Sequence, residues 1–268
     1  MRLSNAIAFA VGLAFAGPAA AEAPGAVSMP KVVSMNVCTD QLAMLVAGPD
    51  QILSLSHLAR DPSQSAMAIE ALRFGVNHGR AEEIFLAAPD VVLASTFSNP
   101  ATIAMLRRVG VEVIAFPPAQ SLADIPDRLA QMGEVLKRPA AAAERIAAFE
   151  TDLAALPRRE GVRAALYGPG GYYRGPRTLA GDILNAAGLA TVSDTVGRDV
   201  GGFVSLEEMV MAAPDLLITP DAPNAPSRSH AVLEHPALGA VTAERAFTNR
   251  NWVCGTPAVL DAARALIE

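Results

Sequence analysis

The chain has 268 residues, 51% of them hydrophobic and 18% charged, and a formal net charge of −6 at pH 7. That length suffices for two modest domains or one large one. An acidic chain is a poor match for nucleic acid or an anionic lipid surface, so neither is an expected partner.

Residues 1–21 read as an export signal. Arg2 gives the positive start, AIAFAVGLAFAG is apolar but too short to span a bilayer, and Ala19-Ala20-Ala21 supplies small residues for cleavage before Glu22. Arg2 is the only charge in the cleaved segment, so the mature chain is near −7. No cysteine stands at the cleavage point, and no later segment is apolar enough to cross a membrane. Two cysteines remain, Cys38 and Cys254. An oxidising compartment allows them to bridge; otherwise each is a small residue near a strand end. They form neither a C-x-x-C redox pair nor a zinc set.

After a Pro/Ala/Gly leader over 22–31, KVVSMN reads as the first strand. Thr39 or Asp40 is the expected cap of a helix, DQLAMLVAG, that stops at Gly48. QILSLS is a second strand and HLARDPSQSA a loop. AEEIFLAAP is a helix, DVVLAS a strand, NPATIAMLRRVG a helix and VEVIAF another strand. Strand and helix alternate, the signal of parallel βαβ units. Residues 121–156 break that rhythm. Their period is helical, with Ile125, Leu129, Met132 and Leu136 on one stripe and Pro139 near the middle. A single connector and two ordinary surface helices both fit the pattern. VRAALYG then opens a second run of strands and helices. GPGGYYRGP is a glycine-rich loop, TLAGDILNAAGL a helix, and SHAVLEHPALGAV polar and then helical. NWVCG reads as a last strand and TPAVLDAARALIE as a closing helix, with Pro257 in its first turn.

One segment occurs twice. AEEIFLAAPDVVLA at 81–94 aligns without gaps to LEEMVMAAPDLLIT at 206–219. Each copy reads as a short helix that halts near Pro and runs into a buried strand. An offset of 125 residues is too long for a solenoid repeat. The expected fold is α/β: two pseudo-symmetric α/β lobes with central parallel sheets, at 22–120 and 158–268, with residues 121–157 between them. Such a chain has a cleft between its lobes, where ligands usually bind.

Several stretches together carry a resemblance. VVSMNVCTDQLAMLVAG, the E-x-I-x-x-x-x-PD-V-V-L unit, TLAGDILNAAGL followed by VSLEEMVMAAPDLLI, EHPALGAV and TPAVLDAARAL resemble, in order and spacing, the periplasmic binding proteins that serve iron–siderophore, haem and cobalamin importers. The resemblance implies two α/β lobes joined by one long helix, a monomer in the periplasm, and a metal chelate (ferric siderophore, haem or corrinoid) handed to an inner-membrane ABC permease. It also implies one acidic docking residue per lobe, at the positions of Glu82 and Glu207. Helix chemistry alone explains a Glu in a first turn, by about 0.3–1 kcal/mol, and applies equally to Glu83 and Glu208. The two cysteines depart from the family's pattern.

In α/β lobes the ligand sits beyond the carboxyl ends of the parallel strands. That rule nominates Tyr172 and Tyr173, which offer flat faces with a polar tip, and Arg174, which offers charge for a carboxylate. A hairpin-like turn with a solvated Arg is the alternative there. It also nominates Trp252, the only tryptophan, and His57, Arg60, His78 and Arg80 on the loops leaving the second and third strands. A direct zinc or manganese carrier would use His57, His78, His230 and His235, but no His-rich loop exists and HPAL looks like a helix start. An exported hydrolase is a weaker reading: G-x-S-x-G and H-E-x-x-H are both missing. An oxidoreductase using Cys38 and Cys254 is a third. The leading reading has no catalytic residue and no resident cofactor or metal.

Overall fold

The computed structural model describes residues 29–221 and 227–268; the expected export signal lies outside them. The first half winds into one parallel sheet. Strands β1 (Val32–Ser34), β2 (Ile52–Ser56), β3 (Gly75–Asn77), β4 (Val91–Ser95) and β5 (Glu112–Phe116) lie in the order β3-β2-β1-β4-β5, each neighbouring pair parallel. Every residue of β1 and β4 is buried, as strands covered on both faces must be. Helices α1 (Val37–Val46), α2 (Ala81–Leu86) and α3 (Pro100–Arg108) connect them. The stretch expected as a loop after β2 instead opens with a 3₁₀ turn, His57–Arg60. Neither Thr39 nor Asp40 caps α1. Asn36 does, its Oδ1 accepting the Cys38 amide at 3.0 Å. Thr39 and Asp40 are buried one turn further in, with other work.

The connector is two helices and not one long rod. α4 (Asp124–Val135) is followed by Lys137, whose φ of 55° reverses the chain, and Pro139 starts α5 (Pro139–Ala154) at a position where its missing N–H costs nothing. The helices pack closely: a Cβ on Gly133 would stand 2.5 Å from that of Ala142. The stripe Ile125, Leu129, Met132 and Leu136 is fully buried, which contributes about 1.5–3 kcal/mol per residue. It belongs to an apolar cluster that includes β1, α1 and β4 residues on one side and β6, α6 and α10 residues (ranges below) on the other.

The second half builds a mixed sheet, not the parallel one expected. Its strands are β6 (Arg163–Gly168), β7 (Tyr172–Arg174), β8 (Ala190–Thr191), β9 (Gly201–Phe203), β10 (Leu216–Pro220) and β11 (Glu244–Thr248). The order is β11-β10-β6-β7-β9, with β8 also against β6. β10 and β11 run parallel to β6, but β7 is reversed, antiparallel to β6 on one side and to β9 on the other. The cause is the glycine turn at 168–171, which sends the chain straight back as a hairpin. Gly171 has a φ of 82°, and a Cβ there would meet the Val204 carbonyl at 2.7 Å, so only glycine fits. Helices α6 (Leu179–Ala186), α7 (Ser193–Val196), α8 (Leu206–Ala212), α9 (Pro236–Val241) and α10 (Val259–Arg264) complete the half. NWVCG, expected as the last strand, is a 3₁₀ turn and bend after β11.

The halves meet directly. The Arg250 guanidinium donates to the Pro62 carbonyl at 3.4 Å and the Thr256 hydroxyl to Gln41 at 3.5 Å, while the Leu122 amide of the connector donates to Asp182 at 3.0 Å. Cys38 and Cys254 form a disulfide. No helix of the described residues is long and apolar enough to cross a membrane.

Candidate functional site: a cleft between two switch points

In the first sheet the chain moves from β1 outward to β2 and β3, then returns to β4 on the opposite side. Loops leaving β1 and β4 therefore diverge and open a crevice at their carboxyl ends. A cavity of about 250 Å³ lies there. Asn36, Cys38 and Thr39 after β1, Ser95 and Phe97 after β4, and Phe116 to Ala119 after β5 form one wall. Leu179, Val253 and Gly255 of the second half form the other. The second sheet repeats the device between β6 and β10. Near the end of β6 a cavity of about 340 Å³ is lined wholly by second-half residues, Leu166, Arg174, Ala180, Thr248, Asn249, Trp252 and Val253. A third recess, about 730 Å³, runs from Pro62–Gln64 of the first half to Pro220, Asp221 and 248–251 of the second. Val253 lines all three, so the segment leaving β11 is their common wall.

The only charged side chains lining the first two cavities are cations, in a chain that is acidic overall. Arg128, on α4, lines the first; it donates to Gln131 at 3.3 Å, while its buried Nε has no hydrogen-bond partner among the described residues. Arg174 lines the second. Its guanidinium lies 5.7 Å from the Tyr172 ring centre and makes no ion pair or hydrogen bond among the described residues. The third recess adds one cation, Arg250, and one acid, Asp221. Such a cleft suits a ligand with anionic groups.

The β6–β7 hairpin decides the fate of the two tyrosines. Alternation along a strand places Tyr172 and Arg174 on one face and Tyr173 on the other. Tyr172 is half exposed and lines none of the three cavities. Tyr173 is fully buried in the second half's core with Tyr167, Val192 and Val204, and this corrects its expected place at the ligand. Trp252 sits in the 3₁₀ turn Arg250–Trp252, started by Asn249, whose Oδ1 accepts the Asn251 amide at 2.9 Å. It faces the same cavity as Arg174.

His57, Arg60, His78 and Arg80 line none of the three cavities. The two imidazoles stack, centres 5.4 Å apart and 17° from coplanar. Arg60 donates to the Phe74 carbonyl and so braces the β2–β3 connection. These loops follow the strands at the far edge of the sheet, away from the switch point. His235 starts α9, its Nδ1 accepting the Ala237 amide at 3.2 Å. Among the described residues no group of three or more His, Cys, Asp or Glu could hold a metal ion, and His230 and His235 do not join the His57–His78 pair. Sequence reasoning missed Phe116 to Ala119, Arg128 and Thr248 to Asn251. The strand-end rule, applied to the strand VEVIAF, would have found Phe116 to Ala119, and would have found Thr248 to Asn251 had β11 been recognised.

The repeated glutamates divide by position. Glu83 and Glu208 are each the third residue of their helix and are used locally. Glu83 accepts the His78 amide at 2.8 Å; Glu208 accepts the Ser205 amide at 2.8 Å and completes a capping box. Those amides are the main reason both carboxyls lie below the ordinary range. Glu82 and Glu207, each second in its helix, are exposed, and neither forms an ion pair or hydrogen bond among the described residues.

Beneath the cleft floor, Asp40 accepts hydrogen bonds from the amide and hydroxyl of Ser56, tying α1 to β2. Burial pushes its carboxyl up to about 7, against the lowering effect of hydrogen bonds with Ser34 and Ser56.

Two α/β lobes, each with a switch point opening on a shared cleft, define the two-lobed architecture of a solute-binding protein. Residues 32–246 match the model of the periplasmic binding protein family, and the chain belongs to that family. Over 139 residues it is 30% identical to a cobalamin-binding protein of Halobacterium salinarum, a match covering 49% of this chain and 37% of that relative's length. Among solved structures it is similar to a possible iron-binding, periplasmic solute-binding protein of Staphylococcus epidermidis, with a TM-score of 0.73, 16% identity, and 90% and 98% of the two chains covered. The periplasmic heme-binding protein HutB of Vibrio cholerae also has a TM-score of 0.73, at 15% identity, with 88% and 97% covered.

Proposed function

We propose that this chain is the periplasmic carrier of an ABC importer. It holds a metal chelate (a ferric siderophore, haem or a corrinoid) in the cleft and delivers it to an inner-membrane permease. The observation that carries this reading is the cleft itself, walled by both lobes in the first cavity and the third recess, with Arg128 lining the first cavity and Arg174 the adjoining second one. Family membership and the descriptions of the relatives support the cargo class. The cationic lining favours a chelate with carboxylate or phosphate groups.

In this reading residues 1–21 are cleaved on export and the mature protein is a monomer. Residues 22–120 and 158–268 are the lobes and 121–157 the connector. Glu82 and Glu207 dock on arginines of the permease, whose planar fork suits a carboxylate. The family consists of binding proteins, and the chain is read as a carrier without catalytic residues. Glu82→Ala/Glu207→Ala should keep chelate affinity while uptake falls; lost affinity or unchanged uptake counts against the assignment. The cargo is tested by native mass spectrometry of protein purified from its own periplasm, with a retained small molecule as the expected result.

A further inference from the structure

The two copies of the repeated helix expose more than a carboxylate. In α2 the residue four after Glu82 is Leu86, 81% exposed; in α8 the residue four after Glu207 is Met211, 80% exposed. These are the same two positions of the repeat. Each helix buries the apolar residue between them, Ile84 or Met209, completely. Residues four apart share a helix face, so each lobe presents one unpaired acid beside one bare aliphatic side chain. A single exposed leucine is ordinary. An exposed apolar side chain, branched or unbranched, four residues after an unpaired acid, on both lobes, calls for a partner that reads both copies.

We infer that Leu86 and Met211 are apolar anchors of the permease interface, each seated in a recess beside the arginine that receives Glu82 or Glu207. This rests on the carrier reading above and goes beyond it. The acids steer and orient, whereas the two aliphatic side chains supply the burial that holds the complex. A partner that engages equivalent groups on two lobes presents its own site twice, as a two-fold or pseudo-two-fold membrane protein does. An aliphatic group beside an acid also suits a protein recess better than an anionic bilayer, which would repel the carboxylate.

The test is docking of the chain to its cognate permease in nanodiscs, read by surface-immobilised binding at two salt concentrations. Leu86→Ser and Met211→Ser should each weaken docking about tenfold, and together by about the product of the single effects, because the sites are on separate lobes. Leu86→Met and Met211→Leu should dock like the parent. Melting temperature and chelate affinity should not move. Glu82→Ala/Glu207→Ala should weaken docking and flatten its salt dependence, which the serine variants should leave intact.

Parental docking by the double serine variant, with docking lost in the double alanine variant, overturns this inference and spares the carrier reading. Parental docking by the double alanine variant removes the carrier–permease reading and this inference with it. Binding of the parent to permease-free phosphatidylethanolamine/phosphatidylglycerol vesicles, lost in the double serine variant, would assign the two side chains to lipid. A parental dimer in sedimentation, dissolved by that variant, would assign them to a second copy. Either result overturns the inference.

Discussion

Cys38, in the first turn of α1, is bonded to Cys254, just beyond Trp252, across 216 residues of sequence and with their Cα atoms 5.2 Å apart. The bond joins the lobes at the cleft wall, since Cys38 lines the first cavity and Val253 and Gly255 flank Cys254. With Gln41 and Thr256 beside it, it pins one side of the cleft.

Removing that link with Cys38→Ala/Cys254→Ala should lower stability by about 2–4 kcal/mol, because a long loop is no longer closed in the unfolded chain. The urea midpoint of the parent should fall toward that of the variant when reductant is added, and the variant should not respond to reductant. Equal midpoints for the two proteins would show that the bond contributes nothing to stability.

Asp40 gives the chain a pH dependence of unusual sign for a carboxylate. Its pKa is raised, from 3.8 to about 7, so between those values the folded chain keeps a proton that the unfolded chain has released. The stability tied to this group is present in acid and is lost as pH rises through that window, with a slope of at most about 1.4 kcal/mol per pH unit. Asp40→Asn, neutral throughout, should flatten that part of the profile. Urea melts at about pH 4.5 and about pH 7.5 measure it, and identical profiles for parent and variant would refute it.

The neighbouring glutamates of α8 should separate cleanly. Glu208→Ala breaks the capping box with Ser205 and should cost about 1 kcal/mol. Glu207→Ala removes an exposed side chain without a local partner and should stay within about 0.5 kcal/mol of the parent. Thermal denaturation of the two variants checks this, and equal losses would mean that Glu207 has a structural task as well.

Trp252 is the only tryptophan and shares a cavity with Arg174. Its fluorescence should therefore report loading directly. Titration with hemin, cyanocobalamin and a ferric hydroxamate should quench it for the cargo and leave it unchanged for the others. Arg174→Ala should weaken a carboxylate-bearing cargo by about tenfold to a hundredfold, the range for a hydrogen bond to a charged group. Failure of all three compounds to change the signal would speak against binding beside Trp252.

Much of the fold was legible because periodicity carries it. The alternation from KVVSMN to VEVIAF marked the first sheet, and the stripe from Ile125 to Leu136 marked the helix that both halves bury. The repeat gave away the likeness of the lobes. Less legible were features set by single backbone angles or by distant packing. The period over 121–156 fitted one helix or two; Lys137 at positive φ makes it two, where the resemblance implied one, and nothing in a lysine signals that. The hairpin at 168–174 makes the second sheet mixed and turns Tyr173 inward while Tyr172 and Arg174 face out. The candidate site was half legible for the same reason. The strand-end rule nominated Arg174 and Trp252, which line a cavity, but treated His57 and His78 at a sheet edge like loops at the switch point. β11 hid in ERAFT, whose mixed polarity reflects an edge strand exposed along much of its length.

The stretch from 248 to 255, shared by all three cavities, has a consequence for synthesis. A chain made amino end first can complete its first sheet early, yet each hollow lacks a side until the last twenty or so residues are in place. Shortening the carboxyl end should therefore spare the first sheet and dismantle all three hollows together.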